Sequence, residues 1–141
     1  MPDAGCILGF DYGTRRIGIA IGETLTCTAR GLTTLQNRNG RPDWNTIHEL
    51  LAEWRPNQLV VGLPLHLDGE EQPMTRSARR FANQLRGRFG LPVSYADERL
   101  SSQEAEQILA ETHGTGQYHK QAIDKLAAQL ILQSWLEQNN R

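Results

Sequence analysis

The chain has little to build a disulfide framework or a zinc centre from. Its two cysteines, Cys6 and Cys27, share no metal-ligand spacing, so a reducing cytosol is the expected compartment. The four histidines, His48, His66, His113 and His119, show no zinc spacing either. No stretch approaches the ~20 apolar residues of a membrane helix, and no basic region followed by an apolar run marks the N-terminus. Neither a membrane partner nor a signal peptide is therefore expected. Repeats and low-complexity tracts are absent. Charge of one sign is also lacking in bulk: 15 basic residues against 16 acidic give a net charge of −1, which points to no partner. At 141 residues, one domain spanning residues 1–141 with a real core is expected.

What is present is unevenly placed. Between Pro73 and Pro92 stand five arginines (Arg76, Arg79, Arg80, Arg86 and Arg88) and no acid, which leaves ten basic residues against 16 acidic elsewhere. A positive stretch on an acidic body suits a polyanion such as nucleic acid. A solvated helix face rich in arginine is the plainer alternative.

The first third reads as strands. Ile7 to Asp11 is one. Arg16 to Gly22 alternates, with Ile17, Ile19 and Ile21 on one face, and Gly31 to Leu35 is a weaker third. Short links between them suit an antiparallel meander. Helix and strand then alternate. Trp44, Ile47, Leu51 and Trp54 form a helical stripe over Asp43 to Trp54, stopped by Pro56. Leu59 to Gly62 is a short apolar strand suited to a central parallel position. Pro73 to Phe89 is a helix with Ala78, Phe81, Ala82 and Leu85 inside, and Val93 to Asp97 is another strand. Ser101 to Glu104 is a capping box before a helix carrying Ala105, Ile108 and Leu109. His113 to Gln117 breaks the pattern. A last helix places Ile123, Leu126, Ala127, Leu130 and Ile131 on one face. This order predicts an α/β fold with a mixed five-stranded sheet, three antiparallel strands then βα units, and helices on both faces.

Three acids stand where a purely structural carboxylate is unexpected. Asp11 ends the first strand, Glu98 ends the last strand in "YADERLSS", and Asp124 opens the last helix in "KQAIDKLAAQLIL". Three carboxylates converging at one sheet edge repel unless a cation joins them. A hard divalent ion, Mg²⁺ or Mn²⁺, is the simplest solution. Two such ions about 4 Å apart clamp an in-line displacement at phosphorus. Each acid also has an ordinary reading: Asp124 on a helix dipole, Glu98 or Asp97 as a cap, Asp11 as the anchor of the turn at Gly13.

"DYGTRRIGIAIG", "VVGLPLHLDG", "YADERLSS" and "IDKLAAQLILQSWL", taken in series, resemble the YqgF family, also called RuvX. The resemblance spans nearly the whole chain. It implies a ribonuclease H-like nuclease. The family is described as a Holliday-junction resolvase, from its likeness to RuvC, and as a nuclease maturing the 5′ end of pre-16S rRNA. It implies Asp11, Glu98 and Asp124 as metal-binding catalytic acids, with Asp11 bridging two ions. It also implies that Gly13 lets the backbone turn so that Arg15 or Arg16 faces phosphate, and that Arg99 meets phosphate or supports the acids. Two departures stand out. The segment before the last helix, often strongly basic in the family, offers here only His113, His119 and Lys120. No fourth acid flanks Asp124: Gln121 precedes it by about one turn, and Ala127 and Ala128 follow. Strand alternation sets Asp97 on the opposite face from Glu98.

The expected partners are structured RNA, foremost precursor 16S rRNA on ribosomal particles, and, as the alternative, branched DNA. Arg79 and Arg80 are expected to add nonspecific affinity. The chain is expected to act as a monomer or weak homodimer, since a junction resolvase needs two active sites and an RNA-trimming enzyme does not. "GLP", Gly62 to Pro64, reads as the floor of the active edge or as a tight exit turn. Leu65 to Gln72 reads as a flap. The histidines read as surface residues, with His66 or His119 as proton carriers the sharper alternative. Trp44, Trp54 and Trp135 read as core. "DYGT" is also similar to the phosphate loop of actin-like ATPases and sugar kinases. Those proteins clamp nucleotide between two such domains, and 141 residues make one. A binding module without catalysis is a further alternative, disfavoured because needless carboxylates repel phosphate.

Overall fold

A computed structural model describes residues 5–38, 40–63, 73–97 and 117–139. The strands are β1 (Cys6–Tyr12), β2 (Arg16–Glu23), β3 (Thr28–Arg38), β4 (Arg41–Pro42), β5 (Gln58–Leu63) and β6 (Val93–Asp97). The helices are α1 (Trp44–Trp54), α2 (Pro73–Phe89) and α3 (Gln117–Asn139). They form a mixed sheet of order β4-β3-β2-β1-β5-β6. β1 through β4 pair antiparallel, while β5 and β6 run parallel to β1. The α/β expectation holds, with one strand more than the five expected. The addition is the two-residue β4, which pairs Arg41 with Arg38 and Pro42 with Asn37 across a turn at Gly40, whose φ is 74°. Proline is tolerated there because an edge strand has no outer neighbour to donate to. The capping box and helix expected over 101–112 lie outside the described residues, as do the flap at 65–72 and Pro64.

Alternation along the strands divides the core into two layers. Leu8, Phe10 and Tyr12 of β1, Ile17, Ile19 and Ile21 of β2, and Leu59, Val61 and Leu63 of β5 face α1 and α2. There Phe81 gathers the rings of Phe10, Tyr12 and Trp44 at centroid distances of 5.5, 5.0 and 5.6 Å. Helix α1 begins where the Asp43 carboxylate accepts from the Thr46 N–H at 3.2 Å. It ends at Arg55, left-handed at φ 47°, whose N–H reaches the Leu51 carbonyl. Helix α2 buries Ala78, Phe81, Ala82 and Leu85 as the sequence predicts, and Thr75 besides. All three tryptophans are half-buried and pack against core residues, as expected.

On the opposite face Ile7, Ala20 and Val60 pack under Ala128, Leu132 and Leu136 of α3. Here two expectations are corrected. Asp124 does not open the last helix, because α3 starts at Gln117 and Asp124 lies about two turns inside it. The buried stripe is also rotated: Ala127, Ala128, Ile131, Leu132 and Leu136 are buried, while Ile123, Leu126 and Leu130 are only half-buried.

The rotation has two visible causes. The sheet presents small residues to α3. A Cβ at Gly9 would stand 3.0 Å from the Leu132 Cβ, and one at Gly22 2.9 Å from Leu132 Cδ2, so both glycines seat that leucine. Gln129 and Gln133 also turn toward β3. Their side-chain oxygens accept from Gly31 N–H at 3.1 Å and Ala29 N–H at 2.8 Å, and Gln133 Nε2 donates to the Cys27 carbonyl at 2.8 Å. The part of β3 that the short β4 leaves uncovered thus receives partners from a helix. Among the described residues, no helix is long and apolar enough to cross a membrane.

Candidate functional site

Strands β1, β5 and β6 are parallel, so their C-terminal ends share one edge of the sheet. In open α/β sheets that edge is where ligands bind. Asp11 stands there, just past the Phe10–Val61 pair and directly across from Gly18 of β2. Alternation sets it on the same face as Ile7 and Gly9, toward α3. At Gly18 α3 comes close to the sheet: a Cβ there would fall 2.0 Å from the carbonyl oxygen of Asp124 and 2.6 Å from its carbonyl carbon. The cross-strand neighbour of Asp11 is therefore the seat of Asp124, and the two acids share one face and one edge.

Arg16 opens β2 at the same edge. Its Nε donates to Asp124 Oδ2 at 2.5 Å, with the two side chains 29% and 21% exposed. Burial pushes the Asp124 carboxyl above its ordinary value, and the Arg16 hydrogen bond and charge oppose that rise. The turn from β1 to β2 is held from inside. Gly13 N–H donates to the Arg16 carbonyl at 2.9 Å, and Asn37 N–H donates to the Arg15 carbonyl at 2.8 Å. The Asn37 amide Nδ2 donates to the Gly13 carbonyl at 2.6 Å, and Asn37 is only 3% exposed. A Cβ at Gly13 would stand 2.6 Å from the Arg16 carbonyl oxygen. Glycine is needed here for close approach and not for a left-handed backbone, since its φ is not positive. Arg15 is exposed beside this turn.

The α2 arginines are placed differently. Helix α2 packs on the face opposite α3, so Arg79 and Arg80 lie across the sheet from the face of Asp11 and Asp124. Arg79 lies over the Tyr95 ring at 5.3 Å and Arg88 over Trp44 at 4.2 Å. Arg86 donates to Asn83 and to the Val93 carbonyl. Arg76 and Arg80 are exposed. Lys120 stands about one turn ahead of Asp124 on α3, and Asp97 ends β6 paired with Leu63. Glu98 and Arg99 lie outside the described residues, as do His66 and His113. His48 is exposed.

Among the described residues, no group of three or more histidines, cysteines or acids forms a metal site. Two of the three sequence-expected acids are nonetheless brought together. The donors they offer are carboxylate oxygens, which suit a hard cation. Asp124 already engages a cationic group there, so the position favours positive charge.

Sequence reasoning missed the Arg16–Asp124 pair, the Asn37 clamp and the seat at Gly18. One signal was available for the seat. In "RIGIAIGE" the residues between the isoleucines are Gly18, Ala20 and Gly22, a row of small residues opposite the large ones. Such a row marks close approach by another element.

The profile of the RuvX family, described as Holliday junction resolvase, matches residues 5–138. A protein of Sodalis glossinidius described as "Putative pre-16S rRNA nuclease" is 54% identical over 98% of both chains. A Cronobacter sakazakii protein of the same description is 50% identical over 96% of this chain and 99% of its own. Among solved structures, the fold is similar to RuvC of T. thermophilus in complex with a Holliday junction substrate. The TM-score is 0.53 at 15% identity, over 96% of this chain and 97% of that one. It is also similar to the Fowlpox virus resolvase bound to Holliday junction DNA, with TM-score 0.56 at 13% identity, over 96% of this chain and 99% of that one. These structural likenesses bear out the ribonuclease H-like fold.

Proposed function

The chain belongs to the RuvX family, and on that footing we propose that it is a Mg²⁺- or Mn²⁺-dependent endonuclease that hydrolyses a phosphodiester of structured RNA, in 5′-end maturation of pre-16S rRNA. The observation that carries this reading is the meeting of Asp11 and Asp124 on one face, with Gly18 as the seat between strand and helix. Asp11, Glu98 and Asp124 would hold the metal, with Asp11 central. When bound, a divalent ion there supplies an activated water and stabilises the leaving oxygen. Arg15, Arg16, Arg99 and Lys120 would hold the phosphates that flank the cut. The rigid turn at Gly13, clamped by Asn37, supports that role because it presents Arg15 and Arg16 from a fixed backbone. Arg79 and Arg80, on the other face, would add nonspecific affinity only for a substrate large enough to wrap the sheet edge. A folded rRNA precursor on a ribosomal particle is of that size.

Branched DNA is the second reading, favoured by the family's description as Holliday junction resolvase. One experiment separates them: cleavage of a labelled pre-16S rRNA leader beside a four-way DNA junction, with Mg²⁺ or Mn²⁺, wild type against Asp11→Asn. Cutting of the RNA, abolished by Asp11→Asn while binding is kept or improved, is expected. Cutting of the junction alone promotes the resolvase. Normal cutting by Asp11→Asn removes the metal assignment.

A further inference from the structure

Arg16 is fixed at its backbone and adjustable in its side chain. Its carbonyl accepts from Gly13, the carbonyl of its neighbour Arg15 accepts from Asn37, and its own position pairs with Gln36 of β3. From this base the guanidinium reaches Asp124 Oδ2. A guanidinium on that oxygen and a divalent cation drawn to the same carboxylate compete for one negative charge. Arg16 can reach another partner by side-chain torsion alone, without disturbing the turn.

We propose that Arg16 is a built-in counter-ion that holds the metal site closed at rest, is displaced from Asp124 when a divalent cation binds, and then meets the substrate phosphate. The proposal rests on the metal-dependent nuclease reading and adds to it an order of events. Metal entry frees Arg16 for phosphate, and capture of Arg16 by phosphate removes the competitor of the metal. Because coupling between two bound species is reciprocal, each strengthens the other. The site then binds metal weakly by itself and more tightly beside nucleic acid, which restrains hydrolysis away from a seated substrate. The opposite role for Arg16, a permanent partner that orients Asp124 for the metal, predicts the opposite sign.

Mn²⁺ binding by isothermal titration calorimetry, without nucleic acid, decides between them. Arg16→Gln should bind Mn²⁺ about fivefold more tightly than wild type, the factor equivalent to the ~1 kcal/mol of a partly exposed ion pair. Arg16→Lys, which keeps a cation, should stay closer to wild type. In wild type, the Arg16 Nε–H resonance should shift and exchange faster with water on adding Mg²⁺. Unchanged or weaker Mn²⁺ binding by Arg16→Gln overturns the proposal, and so does an Arg16 Nε–H that ignores Mg²⁺. Should Arg16→Gln fail to fold, the wild-type resonance alone decides. If wild type binds no Mn²⁺ that Asp11→Asn or Asp124→Asn removes, the nuclease reading itself falls and takes this proposal with it.

Discussion

Gly18→Ala probes the link between fold and site most directly. The added Cβ would lie 2.0 Å from the Asp124 carbonyl oxygen, 2.6 Å from its carbonyl carbon and 3.3 Å from its Cα. All three are backbone atoms of a helix, so no side-chain rotation relieves the clash. Ordinary contact between nonbonded heavy atoms is about 3.5 Å, so α3 must retreat from β2 by roughly 1 Å or more. Overpacking of this kind costs about 1–3 kcal/mol. The retreat also separates Asp124 from Asp11; if the two hold the metal as proposed, a misplacement of about 1 Å should lower turnover by about a hundredfold. Gly87→Ala is the control. It lies in α2 with nothing within 4 Å of a new Cβ, so alanine should add about 0.5–1 kcal/mol and leave cleavage unchanged. Urea unfolding followed by tryptophan fluorescence gives the stabilities, and single-turnover cleavage of a labelled rRNA precursor gives the rates. A Gly18→Ala protein with the wild-type midpoint and the wild-type rate would refute the claim that α3 must touch the sheet here.

Asn37→Ala removes the hydrogen bond that the side-chain amide donates to the Gly13 carbonyl, a loss of about 1 kcal/mol in stability, and loosens the turn that carries Arg15 and Arg16. Its KM for RNA should rise with little change in kcat; an unchanged KM would reduce Asn37 to a purely structural residue. Replacing Arg79 and Arg80 together by alanine should flatten the dependence of log binding constant on log salt, by about 0.7–0.9 for each phosphate that is no longer neutralised. An unchanged slope in a filter-binding titration would remove α2 from the nucleic-acid interface.

Local periodicity carried most of the fold. The isoleucines of β2, the stripe Trp44, Ile47, Leu51 and Trp54 of α1, and the inner face of α2 all lie where spacing set them. Each depends only on which residues recur along one element. What periodicity could not report was how elements approach one another. Strand β3 runs to Arg38 and gains β4 because a turn at Gly40 returns the chain, a matter of pairing and not of pattern. Helix α3 is rotated from its apparent stripe because Leu132 fits over Gly9 and Gly22 and because Gln129 and Gln133 have backbone groups of β3 to satisfy. An apolar stripe read alone cannot weigh those two attractions.

The site was legible to a similar depth and for the same reason. Asp11 could be picked out because a carboxylate closing an apolar strand is costly unless it has work to do. Asp124 could be picked out as one of three acids able to converge at an edge, but its expected place at a helix start is also where an acid stabilises a dipole, and the family resemblance added the weight. Its place inside α3 removes that ordinary explanation: two turns from the helix start, the dipole no longer favours an acid, because the effect fades beyond the first turn. The charge of Asp124 is answered instead by Arg16, 108 positions away in sequence. No spacing rule reaches that far. Only the meeting of β2 and α3 over a residue without a side chain makes the pair, and that meeting turns three separately ambiguous residues, Asp11, Arg16 and Asp124, into one charged edge.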